Sequence, residues 1–139
     1  MTIRVEDAKL IATIGEAHHE LQPEDISVDM TLNIGNVEGQ PQLVTVAVDL
    51  EVSARETGHA EGEEAVRWAT IGARFAVLLD REAPEELSDD EFTEVTTQMW
   101  PYLRSQCLVI AAQLGIEPLR IPFHISEVAT TEREESHRK

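Results

Sequence analysis

The sequence predicts an α+β domain, because strand-like alternation dominates up to residue 79 and helical spacing follows residue 88. Two observations carry this reading. Two consecutive runs alternate with a period of two, and a capping-box tetrapeptide opens a long apolar stretch. In the first run Ile26, Val28, Met30, Leu32 and Ile34 alternate with Ser27, Asp29, Thr31 and Asn33. Five apolar side chains then share one face of a strand, and the polar set meets water. Val44, Val46, Val48, Leu50 and Val52 repeat the pattern against Thr45, Ala47, Asp49, Glu51 and Ser53. Residues 35–41 between them are rich in turn formers and short enough to close a hairpin.

A polar stretch, residues 55–64, leads into a third strand over residues 65–79. Ala69, Ile71, Ala73, Phe75, Val77 and Leu79 share one face. The other carries Val66, Trp68, Thr70, Gly72, Arg74, Ala76 and Leu78. A strand apolar on both sides meets a layer or a second subunit on each. Gly72 marks a bulge or a close backbone approach. Residues 10–21 stay open between two readings. Leu10, Ile11, Ile14, Ala17 and Leu21 have helical spacing, yet Ile11, Thr13 and Ile14 are β-branched and Gly15 interrupts them.

After an acidic connector, Ser88-Asp89-Asp90-Glu91 forms a capping box with acids at the positive helix end. A helix from Asp89 carries Phe92, Val95 and Met99 on one side, and Pro101 breaks or restarts it. From Tyr102 a second helix runs to a glycine stop at Gly115. Leu103, Cys107, Ile110 and Leu114 form one stripe, and Leu108, Val109, Ala111 and Ala112 make the opposite side apolar too. A helix apolar on two faces buries both, and in so small a domain the second partner is another subunit. Residues 116–125 hold Leu119, Ile121, Phe123 and Ile125 between Pro118 and Pro122, which reads as an apolar loop or edge segment. The domain therefore covers residues 1–125, and residues 126–139 read as a disordered charged tail.

Composition narrows the function. The chain has 139 residues, with 27 Asp+Glu against 11 Lys+Arg and a net charge of −16. Nucleic acid and anionic membrane surfaces are poor partners for it. No apolar stretch reaches the roughly 20 residues of a membrane span, and the first ten residues lack a signal-peptide core, so a cytoplasmic location is expected. Cys107, the single cysteine, excludes an internal disulfide framework and suits a buried apolar position better than a nucleophile. His18-His19-Glu20 and His124 carry the remaining metal or base chemistry. Adjacent histidines on a regular element point in different directions, so solvated polar residues fit better than a metal site. No catalytic motif is present, and neither an enzyme nor a cofactor is expected.

Trp100-Pro101-Tyr102-Leu103-Arg104 resembles the aromatic-Pro-Tyr-x-Arg start of the long helix in SecB, the bacterial protein-export chaperone. The likeness continues through Gly115 and the apolar residues 118–123, and upstream through the Gly-containing strand at 72–77. It covers roughly residues 10–125 and extends to shorter SecB-like proteins of toxin–antitoxin systems. The resemblance implies a four-stranded antiparallel sheet with a long C-terminal helix packed on it, assembled as a dimer of dimers, with residues 10–21 as its first strand. It implies an ATP-independent holdase for unfolded client polypeptides in protein export, with SecA or an antitoxin as a further partner. Client contacts then fall at Trp100, Tyr102, Leu119, Ile121, Phe123 and Ile125. Oligomer contacts fall at Arg67, Ala69, Ile71, Leu103, Cys107 and Ile110. Two features depart from the family. The tail has too few apolar residues for the usual second helix, and Val66 and Trp68 stand where acidic residues would meet SecA. An interaction module dedicated to one partner, such as an antitoxin, is the alternative.

Overall fold

The computed structural model describes residues 3–18, 23–56 and 66–116. Four strands, β1 (Val5–Ala17), β2 (Pro23–Val37), β3 (Gln40–Glu56) and β4 (Val66–Leu79), make one antiparallel sheet in the order β1-β4-β3-β2. One helix, α1 (Asp89–Gln113), packs on it, over β4, β1 and β3. The expected α+β class and four-stranded sheet are observed.

Alternation selects the buried face. Gly15, Ile71, Leu50 and Met30 line up across the four strands, as do Leu10, Phe75, Val46 and Ile34. This face lies under α1, because a Cβ on Gly15 would sit 2.6 Å from Ile110 Cγ2. Val44, Val46, Val48, Leu50 and Val52 of β3 are wholly buried there, each stabilising the fold by about 1.5–3 kcal/mol relative to exposure. From α1 come Phe92, Val95, Met99, Leu103 and Cys107, all buried in the same cluster.

Four local expectations need correction. β1 starts at Val5, not Leu10, and ends at Ala17. Its register shifts between Val5/Asp7 and Leu10/Ala12, leaving Glu6 and Ile11 outside the ladder. Such bulges break the period of two, and the broken period is what imitates helical spacing. The hairpin turn is only Glu38-Gly39, since Val37 already pairs with Gln40 and Gly39 takes φ 77°. The expected regular alternation of β4 is broken by a bulge at Trp68, while Gly72 takes the close approach, one of the two readings open for it. Val52 pairs with Ala69 but Ser53 with Arg67, so Trp68 is the extra residue and is buried.

The fourth correction concerns Pro101, which sits inside one continuous helix. Proline removes one intrahelical donor, here the partner of the Thr97 carbonyl. Both residues are exposed, so water can take the bond. The helix ends as a Schellman motif. Gly115 at φ 76° donates to the Ala112 carbonyl at 3.1 Å, and Ile116 N–H donates to Ala111 at 2.9 Å while its side chain is buried.

The capping box is present at the other end. Glu91 N–H donates to Ser88 Oγ at 3.1 Å, and Ser88 N–H donates to Glu91 Oε1 at 3.0 Å. The Ser88 backbone bond, with the Arg81 guanidinium beside it, holds the Glu91 carboxyl below its ordinary value of 4.5. A lowered folded-state pKa contributes stability that is present above the unfolded value and lost as pH falls through the folded one. Thermal melts should therefore show the cap's contribution intact at pH 7 and fading below about pH 4.5, with Glu91→Gln flattening that part of the curve. Ser88→Ala should cost about 1 kcal/mol at pH 7; an unchanged melting curve would contradict the cap.

Candidate binding surfaces

The sheet face away from α1 is built from the other half of each alternation. Across the strands it reads Ala12, Arg74, Ala47, Asn33, then Ile14, Gly72, Asp49, Thr31, then Glu16, Thr70, Glu51, Asp29. A shallow groove of about 280 Å³ crosses β1, β4 and β3 there, floored by Gly72 and Ala47 and walled by Ile14, Asp49 and Arg74. Gly72 is what admits its neighbours. A Cβ there would stand 2.9 Å from both Asp49 Oδ1 and Ile14 Cγ2. Beside the groove a polar chain ties three strands together. His18 Nε2 lies 3.2 Å from Thr70 Oγ1, Thr70 donates to Glu51 Oε2 at 3.2 Å, and Arg67 Nε pairs with the same carboxylate at 3.1 Å.

The two outer strands differ. β1 exposes Leu10, Ile11 and Ile14, with Ile11 48% and Ile14 44% accessible. The helix α1 exposes Tyr102 at 58% and Val109 at 50%, seven residues apart and hence on one side of the helix. The Tyr102 ring reaches back to Phe75, centroids 6.4 Å apart. β2 pairs regularly with β3 from Ser27 to Asn36 and, among the described residues, has no strand on its other side. Its face toward α1 holds Ile26, Val28 and Ile34 only partly covered. A cleft of about 120 Å³ between Ile34, Leu87 and Phe92 continues this shelf, with Glu85 and Glu86 at its rim.

Trp100 is buried, whereas Tyr102 stands in solvent. Leu119, Ile121, Phe123 and Ile125 lie outside the described residues, as do His19, His124 and the tail. Ala69, Ile71, Leu103, Cys107 and Ile110 are buried within the single chain between sheet and helix. Arg67 does not share a face with Ala69 and Ile71, because the extra residue at Trp68 turns it to the exposed side beside Glu51. β4 is an inner strand with both edges paired. Leu10, Ile11 and Ile14, in the segment left open between helix and strand, are exposed on β1, and Val109, read from the helix's second apolar side, is exposed too.

Burial pushes the Cys107 thiol up to about 12, and the Asp49 carboxylate adds to the shift. A protonated, wholly enclosed thiol is a poor nucleophile. Among the described residues no cluster of His, Cys, Asp and Glu stands at metal-binding spacing. No described helix is long and apolar enough to cross a membrane.

No family model and no curated protein sequence matches the chain. Among solved structures, it resembles the SecB-like chaperone of Mycobacterium tuberculosis, determined in complex with a ChAD peptide from the HigA1 antitoxin. The likeness spans 88% of this chain and 90% of that one, with a TM-score of 0.54 and 16% sequence identity. The four-stranded antiparallel sheet with one C-terminal helix across it is therefore a SecB-like fold.

Proposed function

We propose that this chain is a SecB-like chaperone that holds extended segments of unfolded polypeptides without ATP. The observation that carries the reading is the SecB-like fold itself, shared along most of both chains with a chaperone solved holding a peptide. The exposed surfaces support it. Among the described residues the outer edge of β2 is unpaired, and its main-chain donors and acceptors lie next to the partly covered Ile26, Val28 and Ile34. An extended segment adding there gains ladder hydrogen bonds for affinity, and its alternate side chains rest on the apolar shelf. Main-chain recognition of this kind tolerates many sequences, as a holdase requires. Leu119, Ile121, Phe123 and Ile125 follow α1 in sequence and remain candidate client contacts, together with Tyr102, which is exposed on α1.

Assembly uses the opposite edge in this reading. β1 with Leu10, Ile11 and Ile14, and α1 with Val109, form the contacts between copies, building a dimer and then a dimer of dimers. Ile110 and its buried neighbours back that surface from within the chain. A role in export through SecA, at the acidic row of Glu16, Asp29 and Glu51, belongs to the same proposal.

A second reading has its own support. The solved relative binds an antitoxin peptide, so a module dedicated to one antitoxin uses the same edge and shelf. Suppression of aggregation of a chemically denatured model protein separates the two from no function at all. Protection at one oligomer per client supports the holdase; a folded protein that gives none defeats it. Affinity capture then distinguishes breadth, with many unfolded clients expected of the holdase and a single stoichiometric partner of the dedicated module.

A further inference from the structure

The residues just before and at the start of β1 are held in an unusual way. Ile3 N–H donates to Glu94 Oε2 at 2.8 Å and Val5 N–H donates to Gln98 Oε1 at 2.8 Å. The Gln98 amide returns a bond from Nε2 to the Ile3 carbonyl at 2.9 Å. On the opposite edge, Arg4 N–H donates to Asp80 Oδ1 at 3.1 Å and the Arg4 carbonyl accepts from Asp80 N–H at 2.9 Å. Main-chain groups of residues i and i+2 point to one side of an extended segment and those of i+1 to the other. Ile3–Val5 follows that alternation, but on one side its partner is a pair of helix side chains in place of a strand.

Glu94 and Gln98 are one helical turn apart and so share a face of α1. They accept from or donate to main-chain atoms only. Two side chains of the segment face the core: Ile3, which is 1% exposed, and Val5, half-buried against the same cluster. Arg4 is exposed. Main-chain bonds on both edges with apolar seats for alternate side chains are how peptide grooves recognise an extended ligand.

We propose that Glu94, Gln98 and Asp80 form a peptide-binding slot, filled in the free chain by its own Ile3–Val5 and open to an extended segment of another polypeptide that displaces it. The ligand is a three-residue extended stretch, aliphatic at its first and third positions, unrestricted at its second, with free amides at the first and third. This site lies apart from the β2 edge and stands whether or not the chain holds unfolded clients.

The test is a fluorescence titration of a labelled peptide carrying residues 1–6 against full-length protein. Ile3→Asp weakens the resident segment, because a carboxylate is disfavoured in the apolar pocket. That variant should bind the peptide about tenfold tighter than the unsubstituted chain, and adding Gln98→Leu should reverse the gain, as loss of paired hydrogen-bond partners predicts. A peptide N-methylated at its third and fifth amides should not bind. Hydrogen exchange on β4 amides reports whether the sheet is intact, and Ile3→Ala replaces Ile3→Asp if it is not. Equal binding by the released and unsubstituted chains, or undiminished binding of the N-methylated peptide, would overturn the proposal.

Discussion

Gly15→Val is expected to destabilise the fold by about 3 kcal/mol, the upper part of the range for overpacking. The cause is local and steric. Gly15 lies on the inner face opposite Ile71, where α1 packs on β1. Even a Cβ would stand 2.6 Å from Ile110 Cγ2, inside contact distance, with Leu114 Cδ1 at 3.8 Å. The branched methyl of Ile110 cannot swing clear as the tip of a long side chain could, so the helix must lift or β1 must bend. Ile110→Ala removes the obstructing methyl and alone costs about 2–5 kcal/mol. Combined with Gly15→Val it should cost less than the sum, by about 1–3 kcal/mol of coupling. Urea unfolding of the four proteins reads this directly; simple additivity would show that Gly15 is not there to admit the helix.

Trp68→Ala should be costlier, about 3–5 kcal/mol. Trp68 is the largest wholly enclosed side chain, 2% exposed, and Ala54 and Ala69 near it in the ladder are small and fully buried. Small neighbours cannot collapse into the space an indole leaves, so the cavity term stays large. The backbone adds to the effect, since His18 N–H donates to the Trp68 carbonyl at 2.7 Å and closes the end of β1 onto β4. Trp68→Phe should recover a substantial part of the loss, and thermal melts will rank the three proteins. A cost below about 1 kcal/mol would mean that the bulge does not set the packing of this end.

The parts of the fold that followed simple periods were legible from the residues. Val44 to Val52 alternate cleanly and all five apolar positions are buried; Ser88 and Glu91 announced the helix start, and Gly115 its end. Bulges account for most of what was not legible. One at Ile11 disguised β1 as a helix, and one at Trp68 placed Arg67 on the face opposite Ala69. Pro101 signals a break in any local reading, and only the exposure of Thr97 and Pro101 shows why the helix continues. Trp100 and Tyr102 are neighbours in sequence with opposite fates, one buried and one in solvent. Aromatic character alone could not separate them, because the helix axis relative to the sheet decides which is covered. The slot at Glu94 and Gln98 was invisible for a related reason. It pairs side chains with main chain more than 90 residues away, as the separations of 91 and 93 show.

The central claim is that the exposed edge and shelf hold unfolded chain. Light scattering of the purified protein, alone and with a permanently unfolded polypeptide, tests it most directly. The account predicts an oligomer whose mass rises by one bound polypeptide on mixing. A folded protein whose mass does not change with the polypeptide present would contradict it.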